Sequence, residues 1–144
     1  MGQVIEQVAV DVNLPRARCT LRGERDAKVD ADALGRVLAN LLRNALEASP
    51  SARVTIDARV VRGELELVVQ DDGPGITGEL ADRVFEPFVS SKQKGTGLGL
   101  ALSARVLSFL GGGLELLNPG EPGARFRVRV PIVASDDGEA EATA

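Results

Sequence analysis

Asn40 and Asn44 stand four residues apart inside a run whose apolar residues, Leu34, Val37, Leu38, Leu41, Leu42, Ala45 and Leu46, recur at helical spacing. Residues four apart share one face of a helix, so the two amides can point at a single ligand. Asparagine is a weak helix former, and an unpaired buried amide costs about 1–3 kcal/mol. A helix carrying two of them beside its apolar stripe has to find them partners. Water or a neighbouring loop would serve. Two glycine turns further along, Asp71-Asp72-Gly73-Pro74-Gly75 and Gly95-Thr96-Gly97-Leu98-Gly99, favour a bound group instead, because glycine lets backbone come close where a Cβ would obstruct.

The rest of the chain supplies a sheet for that helix. Val4, Ile5, Val8, Ala9 and Val12 predict a short amphipathic helix at the start. Ala17 to Leu21 and Ala27 to Val29 read as short strands. Asp30 or Asp32 caps the long helix, which runs to about Ala48 and stops at Ser49-Pro50. Val54 to Ile56 and Leu65 to Val69 flank Arg62-Gly63, a hairpin turn. Gly78 to Val84 reads as a short helix. A longer one over Gly97 to Leu110 ends at Gly111-Gly112-Gly113. Leu114 to Leu117 and Arg125 to Val130 are the last strands. The expectation is an α/β fold, a two-layer sandwich of one mixed sheet covered on one face by helices. It occupies residues 1–133, followed by a disordered acidic tail over 134–144.

Composition excludes several functions. The four acidic residues Asp136, Asp137, Glu139 and Glu141 account for the whole net charge of −4. No basic footprint for nucleic acid remains. Phe85, Phe88, Phe109 and Phe126 are the only aromatics, too few for a single-strand stacking platform. No apolar run has membrane-spanning length. The expectation is a soluble cytoplasmic domain without membrane contact. Cys19, the single cysteine, sits in an alternating stretch and reads as a strand residue rather than a nucleophile. The chain contains no histidine, which removes every histidine-based catalytic scheme and the commonest transition-metal ligand.

Each glycine motif has a rival reading. Gly73-Pro74-Gly75-Ile76-Thr77-Gly78 satisfies the dinucleotide pattern G-x-G-x-x-G after a strand, but that fingerprint wants an acid about 20 residues on. None occurs between Glu86 and Glu115. The second glycine run lacks the Gly-Lys-Ser/Thr ending of a Walker A loop. It opens a helix, whose free amides and positive dipole end suit a triphosphate. Asp71 alone would be an ordinary turn aspartate, Asp72 a solvated one, and Phe85-Glu86-Pro87-Phe88 a hydrophobic anchor for a loop.

Taken in order, these motifs resemble the ATP-binding catalytic domain of sensor histidine kinases, in the superfamily that holds gyrase, Hsp90 and MutL ATPases. The likeness spans about Val4 to Pro131 and implies a Bergerat-type fold that binds ATP with Mg²⁺. It implies that Asn44 holds the metal through its side-chain oxygen and that Asn40 lies near the phosphates. The gyrase-like ATPases carry a water-activating glutamate at the position of Asn40, and an asparagine cannot be that base. Asp71 would accept from the adenine 6-amino group, with Gly73, Gly75 and Ile76 around the base and Gly75 letting it approach. Gly95, Thr96, Gly97, Leu98 and Gly99 would bound the phosphates beside a mobile lid. Glu47 replaces a basic residue common in the family. The form Asn44-Ala45-Leu46-Glu47-Ala48 with Ser90-Ser91-Lys92 is similar to the nitrogen-regulatory sensor branch. Lys92 is then the candidate to face the γ-phosphate, with Arg43 as the alternative. Ala124 stands where relatives often place Ser or Thr near the adenine.

The implied activity is transfer of the γ-phosphate to a histidine on a separate dimerisation and phosphoacceptor domain, with a response regulator downstream. The isolated chain is expected to be monomeric and unable to phosphorylate itself on histidine. Two other readings share the fold: a serine kinase of the anti-sigma-factor type, and a non-catalytic nucleotide-sensing module.

Overall fold

Helix α1 (Gly2–Asp11) buries Ile5, Val8 and Ala9 against α2 (Ala31–Ala48) in the computed structural model, which describes residues 1–15, 18–86 and 99–133. The cap of α2 is Asp30, whose Oδ1 accepts from the Ala33 amide at 3.0 Å. Asp32 sits in the first turn, where a carboxylate suits the dipole. The helix ends at Ala48 with Ser49 as its C-cap. Its stripe of Leu34, Val37, Leu38, Leu41, Leu42 and Ala45 is buried.

That stripe lies over a five-stranded sheet of β1 (Cys19–Gly23), β2 (Val54–Val61), β3 (Glu64–Asp71), β4 (Gly113–Leu116) and β5 (Arg125–Pro131), in the order β1-β2-β3-β5-β4. Strand β1 runs parallel to β2, and the other neighbours are antiparallel. Register puts Ile56 opposite Val69, and Val69 opposite Phe126, so the inner face is apolar across the sheet. The outer face carries charges paired across strands: Arg22 with Asp57, Arg59 with Glu66, and Arg127 with Glu115. Helices on one side and paired charge on the other make a two-layer sandwich.

The β2–β3 hairpin turns at Arg62 and Gly63, both at positive φ (51° and 80°), the geometry of a two-residue turn that matches strand twist. Helix α3 (Gly78–Ala81) is shorter than the expected Gly78 to Val84. After it the chain turns more tightly, with the Glu86 amide donating to the Arg83 carbonyl, and this seats Val84 in the core and Phe85 edge-on to Phe126. Helix α4 (Gly99–Phe109) packs on α2 and β4. It stops at the expected glycines through a Schellman motif, Gly112 N–H to Leu107 O and Gly111 N–H to Ser108 O.

The strand expected over Ala27 to Val29 is absent. Its backbone makes one bond of ladder type, from the Val133 amide to the Lys28 carbonyl at 2.7 Å. Ala27 is buried and Val29 packs on the core, so apolar packing accounts for the alternation that suggested a strand. Ala17 and the tail over 134–144 lie outside the described residues.

Candidate functional site

Asp71 is the last residue of β3, and period-two alternation turns it toward the helix side with Val69 and Leu67. Its Oδ1 accepts from the Gly73 amide at 2.9 Å and the Ala124 amide at 3.2 Å. Its own amide donates to the Ala124 carbonyl at 3.0 Å. Position 124 therefore holds Asp71 through its backbone, whatever its side chain.

The turn after Asp71 is zipped to the β4–β5 loop. The Gly123 amide donates to the Gly73 carbonyl at 2.8 Å, and the Gly120 amide to the Ile76 carbonyl at 2.7 Å. Gly75 sits at φ +82°, and a Cβ there would run into the Glu121 carbonyl oxygen. The close approach that this glycine permits is therefore that of another loop. Asp72 is exposed yet not merely solvated: its Oδ1 accepts from the Arg53 amide at 2.8 Å and ties the turn to the start of β2.

Sequence reasoning passes over Asn118, which is 8% exposed. Its amide nitrogen donates to the Gly123 carbonyl and its oxygen accepts from the Arg125 amide at 2.8 Å, so it closes the loop that holds Asp71. The signal for it is Asn118-Pro119-Gly120, a turn sequence.

Asn40 and Asn44 are both half-buried on α2. The Asn40 amide nitrogen donates to the Gly99 carbonyl at 3.1 Å and to Ser103 Oγ at 2.8 Å, which places it against the first turn of α4. At the far end of α2, Ser49 approaches Gly73. The flank of α2 therefore runs from the start of α4 to the Asp71 turn, about 13 Å at 1.5 Å per helical residue. Asn40 and Asn44 lie along this flank, with Gly99 at its start, and Asp71, Gly73, Gly75 and Ile76 belong to the turn at its far end. Lys92, Gly95, Thr96, Gly97 and Leu98 lie outside the described residues, as do Pro87, Phe88, Ser90 and Ser91. A hollow bounded by Met1, Arg25, Lys28 and Val133 contains none of the candidate site residues.

Hydrogen bonding from Arg127, reinforced by the Arg127 and Arg129 charges, holds the Glu115 carboxyl below its ordinary range, although partial burial opposes the shift. Burial pushes the Cys19 thiol up.

Residues 29–134 match the family described as histidine kinase-, DNA gyrase B-, and HSP90-like ATPase. The chain belongs to this family. It is 40% identical over 146 residues to the two-component sensor PprA of Pseudomonas aeruginosa, covering 93% of this chain and 15% of that protein. It is 37% identical over 123 residues to the sensory histidine kinase/phosphatase NtrB of Rhodobacter capsulatus, covering 74% of this chain and 34% of that protein. The likeness to NtrB, and to the nitrogen regulation protein NtrY of Azorhizobium caulinodans at 33% identity over 75% of this chain and 15% of that protein, bears out the branch read from the sequence. Among solved structures, the nucleotide-free catalytic domain of histidine kinase ThkA superposes with a TM-score of 0.77 at 27% identity, covering 92% of each chain. The mycobacterial sensor histidine kinase MprB gives 0.68 at 28%, covering 90% of this chain and 94% of that one. The chain is thus a histidine kinase-type ATPase domain, a nucleotide-binding α/β module. Among the described residues no helix is long and apolar enough to cross a membrane.

Proposed function

We propose that this domain binds Mg-ATP along the flank of α2 and donates the γ-phosphate to a histidine on a separate dimerisation and phosphoacceptor domain of the same kinase, which then serves a response regulator. The observation that carries this reading is what stands at the two ends of the α2 flank. An aspartate held by two backbone amides stands at one end, and an asparagine tied to a helix start stands at the other. With Oδ1 of Asp71 engaged by amides, its second oxygen is the acceptor an exocyclic adenine amine would meet. At the other end, the first turn of α4 offers backbone amides and a favourable dipole to phosphate.

Among the described residues no three His, Cys, Asp or Glu side chains cluster as a metal cage. The amide oxygens of Asn40 and Asn44 fit a hard cation that keeps its waters and arrives with the phosphates. When bound, Mg²⁺ supplies charge neutralisation at the transferred phosphoryl group. Asn44 would hold it, and Asn40 would face the phosphates. Lys92 would meet the γ-phosphate, with Arg43, exposed on α2, as the alternative. The acceptor imidazole has to come from elsewhere, because the chain has no histidine. No general base is needed for a neutral imidazole, so the chain's part is placement.

Calorimetry with ADP and ATP, and single-turnover transfer to a supplied histidine domain, test the proposal with Asn44→Ala. One nucleotide should bind per chain. The variant should lose about a hundredfold in transfer while affinity falls by less than about tenfold, as for a group that matters mainly in the transition state. Equal Mg²⁺ dependence and equal rates in the two proteins would remove Asn44 from the site.

A further inference from the structure

Ser103 lies on the seam of α4 between the half-buried Leu100 and the buried Leu107, and it is 2% exposed. A hydroxyl at that depth is unfavourable unless it is hydrogen-bonded. Its partner is not on its own helix but on α2: Asn40 Nδ2, at 2.8 Å. We propose that Ser103 is a positioning residue for nucleotide binding. Together with the Gly99 carbonyl it clamps the Asn40 amide so that the oxygen, and not the nitrogen, is left for the cation that arrives with the phosphates. This rests on the reading of Asn40 given above.

The clamp follows from donor and acceptor counting. A carboxamide nitrogen carries two hydrogens, and the Gly99 carbonyl at 3.1 Å and the Ser103 hydroxyl take both. The carbonyl can only accept, so it selects the nitrogen end. An amide turned over would set oxygen against oxygen. The hydroxyl is the second anchor and fixes the amide plane, which asparagine otherwise leaves free because its terminal torsion is broad and two-fold. Gly99 and Ser103 are four apart on α4, so one turn bears both anchors. The amide packs directly on this turn: a Cβ at Gly99 would stand 3.4 Å from Asn40 Oδ1 and 3.5 Å from its Cγ, ordinary van der Waals contact. Ser103 does not touch the nucleotide in this arrangement. It acts through Asn40.

The test uses the full chain and four variants: Ser103→Ala, Ser103→Cys, Asn40→Ala and the double variant Ser103→Ala/Asn40→Ala. Ser103→Cys fills the serine's space with a weak acceptor, which covers the case that alanine disturbs the helix. The first readout needs no nucleotide: the Asn40 side-chain NH₂ resonances should be slowed in exchange in the parent and lose that protection in both Ser103 variants. The second is ADP affinity measured in Mg²⁺ and again in EDTA. Loss of one hydrogen bond should reduce the Mg²⁺ enhancement about fivefold, leave the EDTA affinity within about twofold, and add nothing in the Asn40→Ala background. The inference is overturned if the Ser103 variants keep the enhancement while Asn40→Ala abolishes it. It is equally overturned if they weaken binding alike with and without Mg²⁺, the mark of a structural role. If Asn40→Ala itself leaves the enhancement intact, the reading of Asn40 fails first and takes the inference with it. Protection of the NH₂ would then still report the clamp as a packing device.

Discussion

The two ends of the α2 flank are built by different means. At the Asp71 end, two loops are joined by backbone bonds, Asp71 to Ala124, Gly73 to Gly123 and Ile76 to Gly120, with Asn118 as the side-chain keystone. At the Asn40 end, the described contacts are side chain to helix, Asn40 to Gly99 and Ser103. A backbone-built end tolerates side-chain drift but not a change in backbone shape. An end built on side chains is the reverse, since it keeps its shape under substitution and loses its chemistry.

The largest expected effect is therefore at Gly75. Gly75→Ala places a Cβ in the Glu121 carbonyl at φ +82° and should cost about 3 kcal/mol or more in urea denaturation. A change under about 0.5 kcal/mol would mean that the loops are not locked. Next comes Asn118→Ala, which leaves the Gly123 carbonyl and the Arg125 amide without their partner and should cost about 2 kcal/mol. ADP affinity should fall with it, because the loop that seats Asp71 loosens; stability lost with affinity unchanged would detach Asn118 from the site.

Asp71→Asn sharpens the contrast. An asparagine oxygen can still accept from the Gly73 and Ala124 amides, so stability should move little. Its second group becomes a donor, where the amine of adenine needs an acceptor. The preference for ATP over GTP should drop at least about tenfold; an unchanged preference would remove Asp71 from adenine recognition. Glu115→Gln, on the outer sheet face, should have the smallest effect of the set. The Glu115 carboxyl is held below its ordinary value of 4.5 by Arg127, so its contribution is present above that value and fades as pH falls through the lowered one. A denaturation midpoint for Glu115→Gln that tracks the parent above pH 5 and below pH 3 alike would show that the pair contributes nothing.

The legible parts of the sequence were those with local signals. The Asp30 cap, the stop at Ala48, the Arg62-Gly63 turn and the glycine end of α4 all resolve within a few residues of chain. The hidden parts have distant partners. Ser103 meets a residue 63 positions away and Ala124 one 53 away, which no periodicity reports. Asp72 looked solvated because its partner, Arg53, stands just before β2, 19 residues back. Ala27 to Val29 misled because packing alone can produce strand-like alternation.

The one-sided sheet also dictates how the domain can be handled. Asp71 and the α2 flank lie on the helix side of the sheet, and the native thiol, Cys19, is on that side as well, partly buried and with its ionisation suppressed. A cysteine introduced at Thr55, on the opposite face, would therefore be the faster nucleophile. A dye or a surface tether attached there would hold the molecule by its back, with the α2 flank and the Asp71 turn on the side away from the attachment.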